Sequence, residues 1–182
     1  FVGDRGMLTP QRIVEVNEEG YKTITALTHA QMHNLISAGV ITESLFKINA
    51  HPEARDLDNP GIRYVLCLNP KRKKIDHQTR MDLINTTIVE LDKIKNTTRK
   101  YTKEKMGARV GKVWAKYGTE KYFEWSSVND KLEYKIIQAL IDKEKRLDGC
   151  YIIRTDVSAE TLSSQEVYEA YKKLIHVEQA FR

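Results

Sequence analysis

The chain lacks several of the features that define a protein class at once, and each absence excludes something. No hydrophobic run approaches the roughly 20 residues that a membrane-spanning helix requires, so no span is expected. No signal-peptide pattern opens the sequence. Cysteine is scarce: Cys67 and Cys150 stand singly in apolar, strand-like runs with no metal-ligand spacing. They read as reduced, buried thiols of a cytoplasmic protein. His29 and His33 are four residues apart, but no glutamate stands beside the first, so the zinc-protease pattern is missing. There is no internal repeat and no low-complexity segment. The chain also starts at Phe1-Val2-Gly3, inside what reads as a strand, and stops inside a helix, so it reads as an excised fragment.

What is present is charge, unevenly placed. With 41% hydrophobic and 30% charged residues, 182 residues suffice for one or two cores. Lys and Arg number 30 against 25 Asp and Glu, a net charge of +5. Between Lys71 and Lys121 the count is fifteen basic against six acidic, whereas the rest of the chain carries fifteen against nineteen. A basic block with acidic flanks is either a surface for a polyanion near a site that gathers carboxylates, or a solvated pair of lysine-rich helices.

In chain order, Phe1-Val2 closes an apolar strand and Gly3-Asp4-Arg5-Gly6 forms a turn. Thr9-Pro10 supplies an N-cap and a first-turn proline for a helix to about Glu19, ended by Gly20. Tyr21 to Leu27 alternates as a strand. Asp4 thus stands at a strand end in a strand–helix–strand run, where open α/β sheets collect ligands; the alternative is a turn aspartate bonding its own backbone. Thr28 to about Ala38 reads as a short helix, Lys47 to Gly61 as an irregular loop, and Ile62 to Leu68 as a strand ending at Asn69-Pro70. The basic run Lys71-Arg72-Lys73-Lys74 follows, then helices over about Asp76–Arg99 and Thr102–Tyr117. Lys121–Ser127 and Lys131–Gln138 form a hairpin about Val128-Asn129-Asp130. Asp148-Gly149 turns the chain into a last strand, Cys150–Thr155.

The final stretch is a helix. Ser163 or Ser164 can cap it, with Glu166 as the far half of a capping box. Val167, Ala170, Leu174, Val177 and Phe181 recur at three- and four-residue steps and make one apolar face. Tyr171, Glu178 and Arg182 run beside it, with Tyr171 and Glu178 about two turns apart. Glu178 is either an ordinary boundary glutamate or a carboxylate placed at the border of a buried face.

Val2-Gly3-Asp4-Arg5-Gly6-Met7, Asp148-Gly149-Cys150-Tyr151-Ile152-Ile153-Arg154-Thr155 and the segment from Tyr171 to Val177-Glu178-Gln179-Ala180-Phe181-Arg182 together resemble a bacterial insertion-sequence transposase. The family is that of the DDE transposases, in the subclass with a strand-rich insertion between the second and third acids. The resemblance implies an α/β fold: part of a ribonuclease-H-like core, its first strands missing, interrupted by a mixed helix and antiparallel-strand insertion domain. Residues 1–27 and 159–182 would be the core, and 28–158 the basic insertion. Asp4 would be the second catalytic acid and Glu178 the third. The family's Tyr-x-x-Arg-x-x-x-Glu signature matches at Tyr171 and Glu178, with Leu174 in place of its arginine. The first aspartate would precede Phe1, which implies that the fragment alone is inactive.

By the same resemblance, Asp4 and Glu178 would bind Mg²⁺ (or Mn²⁺), two ions in the complete site. Displacement at phosphorus needs charge stabilised on both the attacking and the leaving oxygen, and hard ions prefer carboxylates. The partner would be double-stranded DNA, both transposon ends and target, with no membrane involved. A homodimer is expected in the active complex, in a cytoplasmic, nucleoid-associated bacterial setting. Tyr171 and Arg182 would touch DNA, as would Lys71, Arg72, Lys73 and Lys74 through phosphates. Trp125 would stack on an extruded base, or else be core. Trp114, on a helix with Val110 and Val113 near it, reads as core. A metal-dependent nuclease or resolvase on the same core, or a non-enzymatic DNA-binding module, are the competing readings. The strand ending at Asp4 would present a free edge, prone to self-pairing.

Overall fold

The computed structural model describes residues 1–4, 6–55 and 59–180, with the side chains of residues 175–180 outside the description. It is an α/β protein with a mixed sheet and, among the described residues, six α-helices in two compact units. One unit comprises residues 1–70 and 149–182, the other residues 71–148.

The first unit is built on a five-stranded sheet. Its strands are β1 (Val2–Gly3), β2 (Ile24–Ala26), β3 (Glu53–Arg55), β4 (Arg63–Leu68) and β7 (Cys150–Thr155), in the order β1-β2-β7-β4-β3. β1 and β2 are parallel, joined by helix α1 (Pro10–Glu18); the other neighbours are antiparallel. α1 starts where the sequence predicts, with Thr9 as N-cap accepting from the Arg12 amide and Pro10 in the first turn. Helix α2 (His29–Ser37) starts at a full capping box, Thr28 with Gln31. One sheet face carries Ile24, Val65, Cys67 and Ile153, and Val167 of helix α6 (Ser164–Ala180) packs into their cluster. On the other face Thr25 and Arg154 join residues of α1 and α2 in lining a groove of about 490 Å³.

The second unit holds α3 (Pro70–Lys95), α4 (Lys103–Tyr117), the hairpin β5 (Phe123–Val128) and β6 (Lys131–Ile136), and α5 (Gln138–Arg146). Ile84, Leu91 and Ile94 from α3, Met106 and Val110 from α4, Phe123 and Leu132 from the hairpin and Ile141 from α5 form its core. Asn129 and Asp130 both take positive φ, 50° and 60°, as a two-residue hairpin loop requires. Gly118 closes α4 in the left-handed region at φ 63°.

Four expectations need correction. The strand predicted over 21–27 pairs only at Ile24–Ala26, and Tyr21 is exposed. The irregular loop 47–61 contains β3, which adds to the start of β4. α3 begins six residues earlier than predicted, because Pro70 suits a first helical turn; the run Lys71–Lys74 therefore lies inside the helix. α5 was not anticipated at all.

The division of the chain also differs from a core of 1–27 and 159–182 around an insertion of 28–158. β7 pairs along β2, and β4 along β7, so these strands share one sheet with β1. The boundaries of the compact units fall at Pro70/Lys71 and Asp148/Gly149 instead. The physical reason is burial: Val65, Cys67, Ile152 and Ile153 are all fully buried, and need helices on both faces of a common sheet.

Candidate functional site

Asp4 follows the last residue of β1, and its carbonyl accepts from the amides of Met7 (2.9 Å) and Leu8 (3.1 Å). The chain thereby turns back at once, and Leu8 folds over the strand. A Cβ on Gly3 would lie 2.8 Å from Leu8 Cγ, so glycine is what allows this closure. The Asp4 side chain is half-buried at the carboxyl edge of the parallel pair β1/β2.

The path of α6 is set by three ties. Ser163 and Glu166 form the predicted capping box: Glu166 Oε2 accepts from the Ser163 amide at 2.7 Å, and Ser163 Oγ accepts from the Glu166 amide at 3.3 Å. Arg63, only 3% exposed, donates to the carbonyls of Val157 (2.8 Å) and Leu162 (2.9 Å) and to Glu53 Oε2 (2.7 Å). Ser164 Oγ donates to the same Glu53 oxygen at 2.8 Å. The Arg63 guanidinium, against the opposing effect of burial, holds the Glu53 carboxyl below the usual range. Arg63 lies opposite Thr155, and Thr155 opposite Ile24, so α6 starts beside the first residue of β2.

Farther along, the Tyr168 ring stacks on His51, with centroids 3.9 Å apart and planes at 22°. Lys172 Nζ lies 5.5 Å from the Tyr168 ring centre and 6.0 Å from that of Tyr151. Tyr151 is the second residue of β7, which runs antiparallel to β2 and so begins beside the end of β2. α6 therefore travels from the start of β2 toward its carboxyl edge, the edge at which Asp4 stands. Tyr171 and Val2 both pack against the cluster beneath α6. Tyr171, proposed from sequence to touch DNA, is thus partly engaged by the core. Glu178 belongs to the last turn of α6, but its side chain lies outside the described residues, and Arg182 lies outside them altogether.

A hard divalent ion is suited by a carboxylate at such an edge, and Asp4 offers one. Among the described residues no group of three or more His, Cys, Asp or Glu gathers to hold a metal, His29 and His33 included. Both thiols are buried and outside any disulfide; burial pushes Cys67 up to about 12, which leaves it unreactive near neutrality.

The basic residues of the second unit fall into two sets. In the first turns of α3, Arg72 Nε donates to Asp76 at 2.7 Å, Lys71 is also engaged, and Lys73 and Lys74 are exposed. Trp125 is half-buried and packs against the unit's core; a Cβ on Gly107 would lie only 3.0 Å from its ring. One side of the ring is therefore committed to α4. The depression beside it is edged by Glu124 and Glu133 as well as Lys135, a poor bed for a phosphate. Trp114 packs on the same core, as expected.

No family model, curated protein or solved structure matches the chain. No helix among the described residues is long and apolar enough to cross a membrane. Sequence reasoning missed Arg63, Glu53 and His51, which fix α6. A signal for Arg63 was available: it is a lone charge opening an otherwise apolar strand.

Proposed function

We propose that the chain belongs to the catalytic core of a DDE transposase that cleaves duplex DNA and joins its strands, with Asp4 and Glu178 as two of its acids. The observation that carries this reading is the shared direction of β1 and α6. Two segments from opposite ends of the sequence run to one edge of a parallel β-α-β unit, the edge where α/β sheets place their chemistry. A carboxylate at this edge and a helix directed toward it are the arrangement that a shared pair of acids would use.

Asp4 and Glu178 would hold Mg²⁺ or Mn²⁺, which when bound activates the attacking oxygen and stabilises the leaving one. The chain's own contribution is to set the acids. The Gly3–Leu8 closure aims the turn at Asp4, and Arg63, Glu53 and Ser164 fix the origin of α6. The basic second unit supplies the charge to hold a DNA backbone.

Ferrous ion in place of Mg²⁺, with ascorbate and peroxide, generates radicals at the metal and cuts nearby backbone. Cuts are expected beside Asp4 and in the last turn of α6, both suppressed in Asp4→Asn. Cuts at one place only, or unaffected by that substitution, would overturn the shared site. In a protein that joins this chain to a segment carrying the family's first aspartate, Mg²⁺-dependent nicking of duplex separates enzyme from binder. Joining to a second duplex separates transposase from nuclease or resolvase.

A further inference from the structure

Helix α4 carries Lys105, Arg109, Lys112 and Lys116 at steps of four, three and four, so they form one stripe. An adjoining side of the helix holds Met106, Val110, Val113 and Trp114, all packed on the core of the unit. The stripe is exposed along its whole length.

None of its four cations forms an ion pair among the described residues, whereas six other cations of the unit do. Lys93 pairs with Glu90, Lys95 with Glu133, Lys121 with Glu144, Lys135 with Glu124, Arg72 with Asp76 and Arg80 with Asp148. Lys105 and Lys112 have no such partner. Arg109 and Lys116 are held by aromatic rings instead: Arg109 donates to Tyr101 Oη at 3.0 Å and lies 4.9 Å from that ring's centre, and Lys116 Nζ lies 4.9 Å from the Tyr117 ring centre. Glu90 lies near Lys116 but is engaged by Lys93. The acid of the helix itself, Glu104, is turned back onto its own amide and Thr102, which lowers its pKa. Glu104, beside the stripe in the sequence, and Glu90, near Lys116, are thus engaged by other groups, and two of the four stripe cations sit against aromatic rings.

Beside the stripe lie Ala108, Gly111 and Ala115, and nothing stands within 4 Å of a Cβ placed at Gly111. A partner can approach this flank closely. The four cations span about 16 Å of helix axis, against about five phosphates of one strand over the same rise. No large apolar side chain shares the face, which does not suit a lipid surface.

We propose that this face of α4, rather than the Lys71–Lys74 run, is the principal seat of a DNA phosphate backbone on the second unit. The inference rests on the DNA-handling function proposed above. Binding through four phosphates is sequence-independent and gives a log–log salt slope of roughly −3.6.

The test is fluorescence anisotropy of the full chain with a labelled random-sequence duplex from 50 to 300 mM KCl. Substituting Lys105, Arg109, Lys112 and Lys116 together by Gln is expected to flatten the slope by about 3 to 4. Lys105→Gln with Lys112→Gln, which removes none of the ring contacts, is expected to flatten it by about 2. Lys71→Gln, Lys73→Gln and Lys74→Gln together should change it less than either. A larger effect from the α3 set, or an unchanged slope in the double variant with its circular dichroism intact, overturns the α4 assignment while leaving DNA binding standing. No duplex binding by the wild-type chain overturns both. Equal binding of polyglutamate would assign the face to an acidic protein, against the proposal.

Discussion

Arg63 of the first unit and the α4 cations of the second use positive charge in opposite ways. In the first, Arg63 is buried and its terminal nitrogens donate inward to two carbonyls and a carboxylate, joining loop, strand and helix. In the second, the α4 cations face solvent and touch at most an aromatic ring. A buried charge must be largely compensated, since an uncompensated one costs several kcal/mol, so it serves the fold. An exposed, unmatched charge adds little to the fold and remains free for a partner. The contrast separates positioning from binding before any ligand is known.

The sharpest way to break the comparison is Arg63→Met. It leaves the carbonyls of Val157 and Leu162 without their donor and, among the described residues, leaves Glu53 only the longer, exposed ion pair with Arg55 at 3.4 Å. A loss of about 3–5 kcal/mol is expected, read by amide exchange in β4, β7 and α6. Both tryptophans lie in the second unit, so their fluorescence gives that unit's own transition. A loss below about 1 kcal/mol would mean that Arg63 is no more structural than the α4 lysines, and the contrast would fail.

A middle-sized effect is expected inside the second unit. Gly107→Leu must displace the Trp125 ring, and overpacking of this kind costs about 1–3 kcal/mol. Tryptophan emission should shift to the red as the ring is pushed toward water. Gly107→Ala is the milder companion: a helix-propensity gain of about 1 kcal/mol is set against the 3.0 Å contact, and the net should be near zero. If Gly107→Leu left emission unchanged, Trp125 would be free of α4 and available for the base-stacking role.

How much of this was legible depends on the range of the signal. Caps and periodic faces are local, and Thr9, Thr28, Thr102 and the Ser163–Glu166 box all start helices as read or nearly so. The hairpin about Asn129-Asp130 is local too. Strand partnership is not: nothing in Cys150–Thr155 says that it lies between β2 and β4, and without that the boundary of the first unit could not be drawn. The site divides the same way. Asp4 could be picked as an acid at a strand end, but that α6 runs toward that edge depends on Arg63 and Glu53, which are distant in sequence from the helix they anchor. The basic block was legible as composition; which of its charges are already paired was not.

The smallest expected effect concerns pH and again belongs to the first unit. His51 is buried, stacked on Tyr168, with Nδ1 unpartnered and φ at 38°. Burial lowers its pKa below 6.5, a hydrogen bond with the Leu66 backbone opposes this, and the nearby Lys172 lowers it further. The folded state therefore binds a proton less readily than the unfolded chain. By linkage, stability is full above about pH 7 and falls as the unfolded histidine takes up its proton below about 6.5. The fall continues until the lower folded pKa is reached. His51→Phe keeps a stacking ring and the strained backbone but cannot titrate, so the wild-type advantage over it should shrink between pH 7.5 and 5.5. Amide exchange in α6 should follow the trend while tryptophan-detected unfolding of the second unit does not. Parallel pH profiles for the two proteins would show that the His51–Tyr168 stack tolerates the charge, and that the first unit can host an unpaired cation as readily as the surface of the second.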